Sequence, residues 1–272
     1  MKIGWYTHHI PRIRKVAENG SVGFLEPSGD GLFSGEFAGG AEMSDFDYLS
    51  VAPADWEIQQ VTHDTFHEHD LDSFDSIVVT GTESFSDWQL TELSYYEPFV
   101  FVHHLQTPRE GLSKIIDNSR MFVTHTPAHM KRELQSFSPK RTGQVLSYFD
   151  TSLIAPDFKY QNLAIWAGRN HPLKGLNNAR MWAAQQDLDL AVFTDKPREQ
   201  VLEAMGSAEW FVHLPLAFES ECRSVMEAVL AGCRIHTNDL VGITSVEDWD
   251  QPEVLRNMID KAGSTFWQLV QK

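Results

Sequence analysis

The stretch from Ala167 to Gly175 reads A-G-R-N-H-P-L-K-G, and that from Phe218 to Gly232 reads F-E-S-E-C-R-S-V-M-E-A-V-L-A-G. Arg169 and Lys174 flank the passage from a strand to a helix, and Glu219 and Glu227 stand on either side of a helix start. Two fixed cations at a strand's carboxyl end can stabilise the negative charge that builds on phosphates when a nucleoside diphosphate leaves a sugar, without a metal. A carboxylate can accept two hydrogen bonds from vicinal hydroxyls such as those of ribose. Together these residues are equipment for holding a sugar diphosphate. Taken singly, a solvated cation pair and two acids on a wet helix face explain them equally well.

The elements that must position them are legible around them. Gly168 allows a tight exit from the strand, and Lys174 stands where the next helix begins. Cys222, Val225, Met226, Val229 and Leu230 form one apolar stripe at helical spacing; Glu227 lies off the stripe, where it can face a cleft, and Glu219 precedes the helix. Main-chain N–H groups of Ser220, Glu221, Cys222 and Arg223 at that helix start can meet anionic oxygens. In the N-terminal half a long glycine-rich loop ends in G-G-A-E, and Gly39-Gly40 directly before a helical stretch lets backbone N–H groups approach a ligand closely. His103 follows the run Pro98–Val102 and so stands at a strand's carboxyl end, where an imidazole can bond a sugar hydroxyl or move a proton. A structural histidine fits that position as well.

Short apolar runs at Lys2–Tyr6, Ile77–Thr80, Phe99–Val102, Met121–Thr124, Leu163–Trp166, Leu190–Phe193, Trp210–His213 and Arg234–His236 read as buried strands. Helical stretches such as Leu176–Gln186, Arg198–Met205 and Cys222–Ala231 alternate with them, which predicts parallel sheets in α/β layers. The weakly periodic segment Asp150–Gln161, with its central Pro156, predicts a linker between residues 1–150 and 151–272. Ligands of such sheets collect beyond the carboxyl ends of the strands, so the expected site is the cleft between two facing halves.

Thirty-eight acidic against 22 basic residues give a net charge of −16, which repels nucleic acid and anionic membrane unless a local patch such as Arg12, Arg14 and Lys15 overrides it. Cys222 and Cys233 fall in or beside apolar helical sequence and suit reduced thiols. No apolar run approaches the roughly 18 residues of a membrane span, and the start lacks a signal peptide's apolar core. A cytoplasmic protein is expected.

Four features agree in order and spacing with a known family: G-G-A-E at Gly39–Glu42, His103 after its strand, G-R-x4-K-G from Gly168 to Gly175, and E-x7-E from Glu219 to Glu227. On these the chain resembles a retaining glycosyltransferase of GT-B fold, of the large family-four type. Met121–Leu134 and Val145–Asp150 are weaker echoes of the same pattern. The resemblance implies two Rossmann-like α/β domains with parallel sheets facing a central cleft. Residues 1–150 would form the acceptor side and 151–272 the nucleotide-sugar side, the last helix packing back on the first domain. It implies that Gly39 and Gly40 line the donor diphosphate, His103 and Glu219 contact the donor sugar, Arg169 and Lys174 bind the phosphates, and Glu227 holds the ribose. No cofactor or metal is implied beyond the donor substrate, a UDP-sugar in the first instance, and the acceptor is an undefined hydroxyl on a sugar, a lipid-linked group or a modified DNA base. The chain departs from the family in being short, as though an αβ unit were missing between Asp187 and Trp210. It also carries Ser220-Glu221-Cys222 where G-F-G is usual.

Three other readings stand beside this one, the third a sugar-nucleotide epimerase on the same two-domain scaffold, which would form product with no acceptor present. The compact form resembles small phage enzymes that glycosylate DNA bases, and a non-catalytic sugar-nucleotide-binding module would share the same clamp. The D-x-D pairs at Asp45/Asp47, Asp70/Asp72, Asp187/Asp189 and Asp248/Asp250 arise easily in so acidic a chain. His63, His67 and His69 could bind zinc, but a polar loop accounts for them better. His8-His9 follow the first strand and would edge the cleft on the acceptor side.

Overall fold

The computed structural model describes residues 1–7, 13–16, 22–25, 40–154, 156, 159–194 and 196–272. Gly39, His8-His9, Arg12 and most of the glycine-rich loop lie outside the described residues. In chain order the elements are β1 (Lys2–Tyr6), β2 (Ile13–Val16), β3 (Val22–Leu25), α1 (Gly40–Ser50), β4 (Glu57–Val61), β5 (Ser76–Val79), α2 (Asp87–Ser94), β6 (Phe99–Phe101), α3 (Glu110–Asn118), β7 (Met121–Thr124), α4 (Pro127–Glu133) and β8 (Thr142–Gln144). There follow β9 (Tyr160–Gly168), α5 (Leu176–Gln185), β10 (Asp189–Thr194), α6 (Arg198–Ser207), β11 (Ala208–His213), α7 (Arg223–Leu230), β12 (Arg234–Thr237) and α8 (Pro252–Val270).

One sheet is parallel throughout in the order β4-β1-β5-β6-β7-β8, a second is parallel in the order β10-β9-β11-β12, and β2 and β3 pair as an antiparallel ribbon. The first sheet is covered on both faces, so its central strands are largely apolar and their side chains divide by alternation. Phe99, Phe101, Met121 and Val123 join Ile3 and Trp5 on one face, and Val100, Val102 and Phe122 join Tyr6 and Val79 on the other. The edge strands β4 and β8 read E-I-Q-Q-V and T-G-Q; half exposed, they need no apolar run and leave little signal in the sequence.

Helix α8 ties the two sheets together. Leu255 and Ile259, in its first half, pack in the core of the second sheet, while Ala262, Phe266, Trp267 and Val270 pack in that of the first. Phe266 stacks on Tyr48 with ring centroids 4.2 Å apart, and Trp267 Nε1 donates to the Tyr48 carbonyl at 2.9 Å. An aromatic pair of this geometry adds about 0.5–1.5 kcal/mol beyond its buried area.

Candidate functional site

The carboxyl end of β9 is followed by a one-turn helix at Pro172–Lys174 and then by Gly175, whose φ of 76° lies in the left-handed region. A Cβ on Gly175 would sit 1.8 Å from the Leu214 carbonyl oxygen, so only glycine lets this turn lie against the loop leaving β11. Leu216 N donates to Leu173 O at 2.8 Å and Trp166 Nε1 to Lys174 O at 3.3 Å, which fixes the turn further. As a result Lys174 Nζ reaches Glu219 Oε1 at 3.2 Å.

Glu219 is held by its backbone on both sides. Its N–H donates to Leu240 O at 2.8 Å, and its carbonyl accepts from Gly242 N at 2.7 Å. That second bond requires glycine at 242, because a Cβ there would lie 2.0 Å from Ser220 O. The Glu219 carboxylate also meets His213 Nε2, at the end of β11, at 3.0 Å. Burial works to raise the Glu219 pKa, but the bonds and charges of His213 and Lys174 outweigh it and hold the carboxyl down at about 2. For His213 burial works downward, and Cys222 and Glu219 together push the imidazole up to about 10. A cation, a carboxylate and an imidazolium thus stand together at the strand ends of the second sheet.

Arg169, directly after β9, is exposed, and its side chain makes no hydrogen bond or ion pair with another described residue. The structure does not bring it into contact with the Lys174–Glu219 pair. Gly168 ends β9, and a Cβ there would meet the Trp166 ring at 3.0 Å. Gly40 is the first residue of α1.

The loop from Ser220 to Arg223 joins the two sheets. Ser220 Oγ donates to the His103 carbonyl, and Ser220 O accepts from Thr126 Oγ1 at 2.7 Å. Glu221 is buried; it accepts from Ser147 N at 2.7 Å and Ser147 Oγ at 2.5 Å, and lies 3.5 Å from His125 Nδ1. Burial raises the Glu221 pKa; the Ser147 bonds and the Arg223 charge oppose it, and the carboxyl settles at about 7. Burial and the neighbouring His103 and His129 hold His125 well below the ordinary histidine range, so it is a neutral ring. His103 itself is buried, bonded through Nε2 to Asp45 Oδ1 at 2.8 Å and through Nδ1 to His125 Nε2 at 3.1 Å. A buried hydrogen-bonded chain therefore runs Asp45–His103–His125, and the Glu221 carboxylate lies beside its end, where the sheets meet. The main-chain N–H groups of Ser220, Glu221, Cys222 and Arg223, leading into α7, donate to no acceptor among the described residues.

Glu227 is engaged within the protein. Although it lies off the apolar stripe, it is buried, and its Oε1 accepts from Arg198 Nε at 2.8 Å and Arg223 Nε at 3.1 Å. Arg223 Nη1 in turn donates to Asp47 Oδ2 of α1 at 2.6 Å. Burial disfavours the Arg223 charge, but Glu227 and Asp47 outweigh it and raise the guanidinium above its ordinary range. His125, Ser147 and Arg198, none of them singled out by the sequence, and Asp45, discounted there as one of several D-x-D pairs, are thereby part of the site. Their only sequence signal is position, since His125 and Ser147 follow β7 and β8 as His103 follows β6. Asp45 and Asp47, a D-x-D pair, bind different partners. Among the described residues the one group spaced for a metal ion is His213, Glu219 and Cys222; His63, His67 and His69 form none.

No family model matches the sequence, and no curated protein matches it. Solved structures do. Sucrose-phosphate synthase (tll1590) from Thermosynechococcus elongatus superposes with a TM-score of 0.58 at 12% identity, over 99% of this chain and 94% of that one. Anabaena Alr3699/HepE in complex with UDP-glucose gives 0.56 at 10% identity, over 100% of this chain and 98% of that one. AviGT4, a glycosyltransferase involved in avilamycin A biosynthesis, gives 0.57 at 10% identity, over 99% and 95%. Two parallel sheets with flanking helices, matched over nearly the whole of these structures, give this chain the α/β fold of the GT-B glycosyltransferases.

Proposed function

We propose that this chain is a retaining, family-four-type glycosyltransferase that moves a sugar from a nucleoside-diphosphate sugar, a UDP-sugar in the first instance, to a hydroxyl acceptor without an essential metal. In this reading residues 1–150 are the acceptor domain and 151–272 the donor domain, working in the cytoplasm. The observation that carries it is the juxtaposition of Lys174 and Glu219 with the four unpartnered N–H groups at the start of α7. An anionic diphosphate seated there meets a fixed cation and a helix N-terminus, and neither needs reorganising as charge develops.

Lys174 and Arg169 stabilise the departing diphosphate. Glu219, kept ionised by His213 and Lys174, accepts hydrogen bonds from donor-sugar hydroxyls. The acceptor oxygen attacks the anomeric carbon on the side from which the diphosphate leaves; the C–O bond to phosphate breaks, and the acceptor's proton passes to the departing phosphate oxygen. In this reading His103, held by Asp45 and His125 through its two ring nitrogens, lines the donor-sugar pocket with its ring edge. The neighbour solved with UDP-glucose supports the choice of donor.

Sugar transfer from UDP-glucose and related donors, followed by mass spectrometry, tests the assignment. Lys174→Ala and Arg169→Ala should each lower turnover by about 10²-fold or more, the strength of an oxyanion donor. Near-wild-type turnover in both variants refutes it.

A further inference from the structure

We propose that His213, Glu219 and Cys222 form a binding site for a zinc-class divalent cation, and that filling it draws Glu219 away from Lys174. The three side chains offer one nitrogen, one oxygen and one sulfur, all within 4.8 Å of one another. Zinc takes such donors at about 2.0–2.3 Å in tetrahedral array, so small side-chain rotations close the triad around an ion. Hard cations such as Mg²⁺ and Ca²⁺ require oxygen ligands and are excluded by the thiol and imidazole.

Each ligand stands on a fixed support: His213 ends β11, Glu219 is bonded through its backbone to Leu240 and Gly242, and Cys222 caps α7. Two further observations concern the ligands. Cys222 adopts φ 75°, in the left-handed region, although it has a Cβ, as do four other non-glycine residues among those described. That conformation costs an L residue about 1–2 kcal/mol. His213 Nδ1 is buried with no hydrogen-bond partner among the described residues, as are His125 Nδ1 and His129 Nδ1; of these three histidines, His213 alone belongs to a group of ligand atoms spaced for an ion. Glu219 and Cys222 are part exposed while His213 is buried, so an ion enters from the cleft and keeps an open coordination position there. Three protein ligands with an open fourth position match the pattern of open zinc sites rather than that of closed four-ligand sites that hold a fold together.

The ion and Lys174 compete for one carboxylate, since Lys174 Nζ sits 3.2 Å from the same Glu219 Oε1 that His213 bonds. Binding displaces the protons of the thiol and the imidazolium. Inhibition of sugar transfer by the ion rests on the function proposed above; ion binding itself does not.

The test uses the reduced full-length protein and Co²⁺ alone. The expected result is a thiolate-to-cobalt charge-transfer absorption at one equivalent, removed by Zn²⁺ and untouched by Mg²⁺. Cys222→Gly relieves the left-handed strain and so folds, yet should bind Co²⁺ at least about 100-fold more weakly, because loss of an outer-shell partner alone costs about 10–100-fold. Cys233→Ser should keep the absorption. No charge-transfer absorption in the wild type, or one that survives in Cys222→Gly, overturns the proposal. In the transfer assay, the Zn²⁺ concentration that halves turnover should rise by a similar factor in Cys222→Gly. If no donor is turned over by the wild type while the cobalt absorption follows Cys222, the metal site stands and the transferase reading falls.

Discussion

Glu227→Ala separates a carboxylate that holds ribose from one that holds the protein together. The Glu227 side chain is 7% exposed, and its Oε1 serves both Arg198, 24% exposed, and Arg223, 10% exposed. Removing one partner of a buried ion pair costs about 3–5 kcal/mol. Arg223 keeps Asp47 at 2.6 Å and Arg198 can turn partly to water, so the loss belongs at the low end, about 3 kcal/mol. At about 2–4 °C per kcal/mol for a chain approaching this size, the melting temperature should fall by about 6–12 °C. Glu227→Gln keeps an acceptor oxygen and should lose less than half as much. The measurements are urea and thermal unfolding, alongside the donor KM at a temperature where the variants remain folded. A melting temperature within 1–2 °C of wild type, about what a few tenths of a kcal/mol would give, combined with a raised donor KM, refutes the structural role and returns Glu227 to the ribose.

Two further perturbations probe the joint between the sheets. Glu221→Ala leaves the buried Ser147 N–H without its acceptor while Ser147 Oγ retains Ser44 Oγ at 2.6 Å, so the expected loss is about 1–3 kcal/mol by urea unfolding, and an unchanged midpoint would discount the joint. Gly242→Ala drives a Cβ into the Ser220 carbonyl, 2.0 Å away, and must push the Glu219–Ser220 segment off its seat. It should cost about 1–3 kcal/mol of stability and lower sugar transfer by at least tenfold, read in the same two assays; wild-type values in both would show that the segment tolerates displacement.

The strands and helices that carry the site were legible because they are buried on both faces. Phe99–Phe101 and Met121–Val123 are uniformly apolar, and α7 shows its stripe at helical spacing. What the sequence could not convey is partnership across the chain. Arg223 meets Asp47 from 176 positions away, and Glu221 meets Ser147 from 74. No window contains both members of either pair, and each reads alone as an ordinary surface residue.

By itself, then, the sequence determined an alternating α/β chain with a cation and a carboxylate at the strand ends of its second half, since local apolar periodicity and motif spacing are properties of short segments. The tertiary structure alone decided that Lys174 grips Glu219, that Glu227 turns inward to two arginines, and that His213 and Cys222 converge on Glu219. Those outcomes depend on the loops after β9, β11 and β12 being pressed together through Gly175 and Gly242, a close approach that only the packing of the sheet sets.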